Sequence, residues 1–196
     1  YYMVLISISP NTGSRFHGFA KQIAVPARCG NLWNRGAYLS IINAVPVCCT
    51  RTTRAGAERG FAMDKKTKKI FYEVFTGLPR QGPGSAEATR RAFEKVTLPG
   101  NKPHIVDVGC GTGAAALELA RLAPAAEITA IDNHQPYLDE LEARFHEHGY
   151  IGRLITAREP MEDLPFEEHA VDLLWCEGAI YIMGVQKALA AWKPFI

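Results

Sequence analysis

The sequence lacks an apolar run long enough to span a membrane. Its longest candidate, residues 37–49, is interrupted by Ser40, Asn43 and Pro46 and falls short of the roughly 20 residues a spanning helix needs. It lacks a CxxC pair and any His/Cys spacing typical of a zinc site, and its five cysteines are an odd number, so neither a disulfide framework nor a metal site is expected. His146 and His148 lie two apart and cannot share a helix face, which removes them as a metal pair. Reduced thiols and a cytoplasmic setting are the expectation. No catalytic triad presents itself.

Acidic residues are scarce in one part of the chain only. Residues 1–62 carry seven Lys/Arg against the single acid Glu58, whereas residues 63–196 hold 15 basic and 19 acidic groups. The acidic balance of the second segment, without a basic stripe or an aromatic platform, argues against a nucleic-acid partner. At 196 residues, 47% hydrophobic and 21% charged, the chain suits one globular domain with an appendage. Two segments are therefore expected: a basic, irregular extension over 1–62 and the globular domain over 63–196. For the extension, translated sequence ahead of a start at Met63 is the expectation; a flexible or disordered arm, able to meet an anionic partner, and an Arg-rich targeting segment stay open. Its apolar runs at residues 3–8 and 38–47 are candidates for local strands or a helix.

From Met63 onward the periodicity alternates. Asp64 is placed to cap a helix through Thr76, with Ile70, Phe71, Val74 and Phe75 on one face. A Pro/Gly-rich loop, residues 79–84, ends it. Ser85 caps a second helix to about Val96, with Ala88, Ala92 and Phe93 inward. His104–Val108 reads as a buried strand, followed at once by Gly109-x-Gly111-x-Gly113 and a helix over residues 114–123. Glu127–Ile131 reads as the next strand, ending at Asp132. Pro136 suits a first helical turn, and Tyr137, Leu138, Leu141 and Phe145 form a stripe that stops at Gly149. Residues 153–157 and 170–176 read as third and fourth strands, and Val185, Leu189 and Trp192 mark a closing helix. Strands alternating with helices mean an α/β fold with a mostly parallel sheet covered on both faces.

A strand running straight into closely spaced glycines and a helix lets the backbone approach a ligand and offers it helix N-terminal N–H groups. With Ala114 in the last place, the loop also fits a dinucleotide fingerprint, and Asp132 stands a suitable distance on to hold ribose hydroxyls. A nicotinamide-dependent oxidoreductase is thus a competing reading. Asp107 separates the two. At the carboxyl end of its strand, a carboxylate would repel a pyrophosphate but gain about 1.5–3 kcal/mol from an ammonium group.

The stretch Val106-Asp-Val-Gly-Cys-Gly-Thr-Gly113 resembles the first motif of the Rossmann-like (class I) S-adenosylmethionine-dependent methyltransferases. Ile131-Asp132, Met161-Glu-Asp-Leu-Pro-Phe166 and Val171-Asp-Leu-Leu-Trp-Cys-Glu-Gly178 agree in order. Gly77-Leu-Pro-Arg-Gln-Gly-Pro-Gly84 with Trp175-Cys-Glu-Gly-Ala-Ile-Tyr181 resembles small putative enzymes of the ubiquinone/menaquinone-biosynthesis type. The similarity spans about residues 69–194. It implies a three-layer Rossmann-like fold, S-adenosyl-L-methionine as cofactor, and methyl transfer to a small-molecule acceptor. It also implies three further strands beyond the closing helix, so that the chain reads as truncated after its fourth strand and helix, with that strand an open edge unless another segment pairs there. A truncated cofactor-binding protein without activity is a further alternative.

By that resemblance Asp107, Gly109 and Gly111, with Cys110 and Gly113 in the same loop, surround the methionine end, and Asp132 takes the ribose. Asn133 lies beside the adenosine, Met161 and Glu162 near the adenine, and Trp175 and Cys176 close the fourth-strand side. Pro160 departs from the Asp or Ser that many relatives carry there. Gln81 and Gly82, in a loop dense in glycine and proline, are expected to cover the methionine end as a lid. The sulfonium is an activated donor, so positioning can suffice and a base is needed only where the acceptor must lose a proton. Substrate-side candidates are Glu177, Tyr181, Tyr72, Arg80, Gln81 and His134; Glu177 reads equally as a solvated strand-end acid. Cys110 reads as a small loop residue.

Overall fold

The structure is a computed structural model that describes residues 2–8, 20–26 and 64–196. Among them, strands β1 (Tyr2–Ile8), β2 (Ala20–Pro26), β3 (His104–Val108), β4 (Glu127–Ile131), β5 (Leu154–Ala157) and β6 (Leu173–Glu177) form one sheet in the order β2-β1-β6-β3-β4-β5. Strands β6, β3, β4 and β5 run parallel. Helices α1 (Lys65–Phe75), α2 (Ala86–Phe93), α3 (Ala114–Leu122), α4 (Gln135–Glu147) and α5 (Val185–Trp192) accompany them. No helix among the described residues is long and apolar enough to cross a membrane. This is the expected Rossmann-like α/β arrangement.

Strand side chains alternate between two apolar layers, as a pleated strand requires. Ile105, Ile128, Leu173 and Trp175 pack with α3 and α4 through Ala116, Leu119, Leu141 and Phe145. Val106, Val108, Leu174 and Cys176 face the other way, onto Ala188 and Trp192 of α5. Because α3 leads from β3 to β4 on one side while β6 pairs with β3 on the other, the carboxyl end of β3 is where the strand order reverses. In open parallel sheets that point leaves a crevice for a ligand.

The fourth parallel strand is not the open edge expected. Strand β1 pairs antiparallel along β6, Met3 opposite Glu177 and Ser7 opposite Leu173, and β2 pairs antiparallel with β1. Residues 2–8 and 20–26 are thus regular strands, the first over the run at 3–8 that the sequence offers as a candidate local strand; the run at 38–47 lies outside the described residues. The physical reason is that β6 exposes backbone donors and acceptors along its free side, and an apolar extended segment satisfies them.

Smaller differences concern helix phase. Asp64 caps α1, accepting from the Thr67 N–H at 2.8 Å, but Ile70 and Val74 are exposed and the neighbouring row, Phe71 and Phe75, turns inward. In α2, Ala88 is exposed and Thr89 fully buried, because the Thr89 hydroxyl meets a buried carboxylate described below. That helix ends at Phe93 rather than near Val96. Strand β6 starts later than expected, because the Asp172 carboxylate is taken up by the His104 N–H at 2.7 Å.

Candidate functional site

At the carboxyl ends of β3, β4 and β6 lies a cleft of about 670 Å³. The glycine loop forms its floor. Gly109 and Cys110 both donate backbone N–H bonds to the Ile131 carbonyl, at 2.8 and 3.0 Å, which fastens the loop to the end of β4. Gly109, Gly111 and Gly113 have φ of 71, 53 and 82°, a region L side chains avoid. Space is short as well. A methyl at Gly109 would stand 2.5 Å from the Ala179 side chain, and one at Gly111 would run into the Gln81 amide oxygen.

Asp107 is 1% exposed, lines the cleft, and has in Oδ2 the one buried side-chain polar atom without a hydrogen-bond partner among the described residues. Burial first, then the nearby Glu177 and Asp132 charges against the opposing Arg80, push its carboxyl up to about 8. A buried polar atom left unmatched is costly and marks a place where a partner is expected from outside the fold. Asp132 stands across the loop. Its Oδ2 accepts from the Gly111 N–H at 3.0 Å and its Oδ1 from the His134 N–H at 2.9 Å, while burial raises its carboxyl above the usual range.

The loop at residues 79–84 closes one wall. Gln81 bridges two elements: its Nε2 donates to the Phe75 carbonyl at 3.2 Å and its Oε1 accepts from the Thr112 N–H at 3.0 Å. Arg144 on α4 adds a brace, donating to the Thr112 carbonyl at 2.6 Å and to the Pro79 carbonyl at 3.4 Å. Arg80 reaches across to Glu177 at 2.8 Å. The other Glu177 oxygen accepts from the Thr89 hydroxyl at 2.9 Å and lies 3.4 Å from Trp175 Nε1. Glu177 is therefore not the solvated strand-end acid that one reading allowed.

The expected site residues divide. Asp107, Gly109, Cys110, Gly111, Asp132, Gln81, Gly82, Glu177 and Tyr181 line the cleft. Gly113, Asn133, Met161, Glu162 and Cys176 do not. Gly113 serves packing instead, since a side chain there would strike Leu141 at 2.6 Å. Cys176 is fully buried in the layer beneath α5, facing away from the glycine loop's side of the sheet. Met161 accepts at its carbonyl from Trp192 Nε1 at 2.8 Å, and Glu162 is exposed. Asn133 is exposed and accepts at Oδ1 from the Tyr72 hydroxyl at 2.9 Å. Tyr72 stacks on His134 with ring centroids 3.6 Å apart, and burial raises its phenol further above its ordinary value. Burial likewise pushes the Cys110 and Cys176 thiols up, which leaves neither as a thiolate.

Residues that sequence reasoning missed include Thr112, Tyr137, Phe71, Phe75 and Ala179 in the cleft wall, and Arg144 behind it. Phe71, Phe75 and Tyr137 looked like core positions by their helical spacing. Only the depth to which each helix settles tells a core wall from a cleft wall. Nothing in the pattern singled out Arg144. Among the described residues no group of three or more His, Cys, Asp or Glu side chains could hold a metal.

Residues 105–194 match the family model for a methyltransferase domain. A curated relative, an uncharacterized protein of Synechococcus sp., is 34% identical over 80 residues, which is 41% of this chain and 19% of that protein. The chain thus spans about a fifth of the length of that relative. A crystal structure from Methanococcus maripaludis, proposed as an S-adenosyl-L-methionine-dependent methyltransferase, superposes with a TM-score of 0.53 at 18% identity, over 72% of this chain and 63% of that one. The YcgJ protein of Bacillus subtilis gives 0.48 at 18% identity, over 55% and 45%. The likeness to the Methanococcus structure is one of fold, a Rossmann-like α/β fold.

Proposed function

We propose that this chain binds S-adenosyl-L-methionine in the cleft and transfers its methyl group to a small-molecule acceptor. The observation that carries this reading is Asp107: a buried carboxylate with an unmatched oxygen, on the floor of a glycine-loop cleft. An amino-acid ammonium answers it, whereas the pyrophosphate of a nicotinamide dinucleotide would bring like charge to a cleft lined by Asp132 and Glu177 with Arg80, and would leave Asp107 without a cation. The cofactor would supply a sulfonium-activated methyl group, ready for in-line displacement.

The chain's own residues bind, orient and exclude water. Asp107 takes the ammonium, and Asp132, held by the Gly111 and His134 amides, presents its remaining lone pairs to the ribose hydroxyls. Gly109 and Gly111 let the loop lie against the methionine chain, and Gln81 with Gly82 covers that end. Phe71, Phe75, Ile180 and Tyr181 surround the side from which an acceptor would approach, an apolar wall that keeps the transfer dry. No side chain is needed to move a proton unless the acceptor carries one on its reacting atom. The ubiquinone/menaquinone-type resemblance makes small metabolites the first acceptors to try.

Calorimetric titration of one preparation with S-adenosyl-L-methionine, S-adenosylhomocysteine and NAD tests the cofactor. Binding of the first two and not the third is expected; preference for NAD would overturn the reading. Methyl release with a panel of metabolites then separates a catalyst from a cofactor binder without activity.

A further inference from the structure

Glu177 stands at the end of β6, inside the cleft, where a base would be sought. Its surroundings give it another task. The side chain is 7% exposed, and both oxygens are taken: one by Arg80 at 2.8 Å, the other by Thr89 at 2.9 Å with Trp175 Nε1 at 3.4 Å. Arg80 belongs to the loop over the cleft, Thr89 to α2, Trp175 to β6. The loop's backbone rests on the same spot. A methyl on Gly84 would lie 2.5 Å from Glu177 Oε1, and one on Gly178 would meet Pro83 Cδ at 3.4 Å and Gly82 Cα at 3.6 Å. The next loop residue, Gln81, bonds the Thr112 amide at the end of the glycine loop.

We propose that Arg80 and Glu177 form a latch that seats residues 79–84 on β6 and so aligns Gln81 with the glycine loop, making Glu177 a positioning residue and not a proton acceptor for the methyl acceptor. The ligand readout rests on the cofactor reading above; the latch itself does not. To serve as a base Glu177 would have to abandon Arg80 and Thr89, leaving the guanidinium unpaired in a place where an unpaired cation is costly. The two glycines let the loop approach so closely, and the ion pair decides where it stops.

The test uses the 196-residue chain with S-adenosylhomocysteine as probe and two independent variants. Glu177→Gln removes the charge partner of Arg80. Gly84→Ala leaves every charge in place and pushes the loop off the carboxylate, with added strain from its φ of 124°, and its site is exposed; thermal melts of both variants check that the fold is kept. Each is expected to weaken S-adenosylhomocysteine binding about tenfold or more and to speed amide exchange at Arg80, Gln81 and Gly82 with the rest of the fold protected. In Glu177→Gln the pH at which binding is half-maximal also moves down, because Asp107 loses the like charge of Glu177 and Arg80 loses its partner, while Asp132 and the protonated Cys110 and Cys176 thiols stay as they were. A merely structural lesion would not shift that midpoint. Unchanged affinity in both variants overturns the latch, as does weakened binding with unchanged exchange at residues 80–82. Should the unmodified chain take up no S-adenosylhomocysteine, the cofactor reading fails, and the exchange measurement still decides the latch.

Discussion

The proposed ammonium contact at Asp107 would couple ligand binding to proton release, and the structure sets the size of the effect. With its carboxyl pushed up to about 8, the side chain is protonated at pH 6. An ammonium is matched only by the carboxylate, so binding must expel the proton, at about 1.36 kcal/mol for each pH unit below 8. Affinity for S-adenosylhomocysteine should therefore rise about tenfold per unit as pH climbs from 6 towards 8, about 100-fold or 2.7 kcal/mol in all, and then level off. Calorimetry at pH 6.5 in two buffers of different ionisation enthalpy should show about one proton released per ligand bound. Asp107→Asn, which cannot ionise, should bind weakly with a flat profile. Equal dissociation constants at pH 6 and pH 8 for the unmodified chain, or an unchanged slope in Asp107→Asn, would refute the reasoning, because the ligand would then not be meeting this carboxylate.

The same group acts on stability with a defined sign. The folded chain holds a proton at Asp107 that the unfolded chain has given up between the ordinary carboxylate range and about pH 8, so this group's contribution falls as pH rises through that window; chemical denaturation of the unmodified chain and Asp107→Asn should diverge towards pH 8, the former losing more. Gly113→Ala puts a methyl 2.6 Å from Leu141 at a φ of 82° and should lower stability by about 1–3 kcal/mol, read from a denaturant midpoint, while Gly149→Ala, with open space around it, should cost less. Gln81→Ala frees the Thr112 amide and should weaken S-adenosylhomocysteine binding; an unchanged dissociation constant would remove this loop from the site. Cys110 and Cys176 should resist a maleimide in the folded state and react once unfolded, as mapped by peptide mass spectrometry, since both thiols are buried and far from ionised.

What the sequence by itself determined is what local rules control. The alternation of buried strands and striped helices from residue 64 needs only the periods of strand and helix, and the glycine loop with Asp107 before it and Asp132 after the next strand follows from chain order in a parallel fold. Asp107, Gly109, Gly111 and Asp132 could therefore be expected at one cleft from chain order, while the family resemblance and the glycine and proline density of their loop are what put Gln81 and Gly82 there. Tertiary structure decided the rest, because it depends on groups far apart in the chain. Glu177 changes from a strand-end acid into a latch only when Arg80, 97 positions away, reaches it. Thr89 faces inward because that carboxylate awaits it, and Arg144 binds two loops that no sequence spacing connects. Met161, Glu162 and Cys176 had motif neighbours but not cleft walls, since a strand sends alternate side chains to opposite faces and a loop's exit angle is set by what it packs on. The pairing of β1 with β6 is of the same kind: an apolar run states that a strand can form, and only the unpaired edge elsewhere in the fold says where it goes.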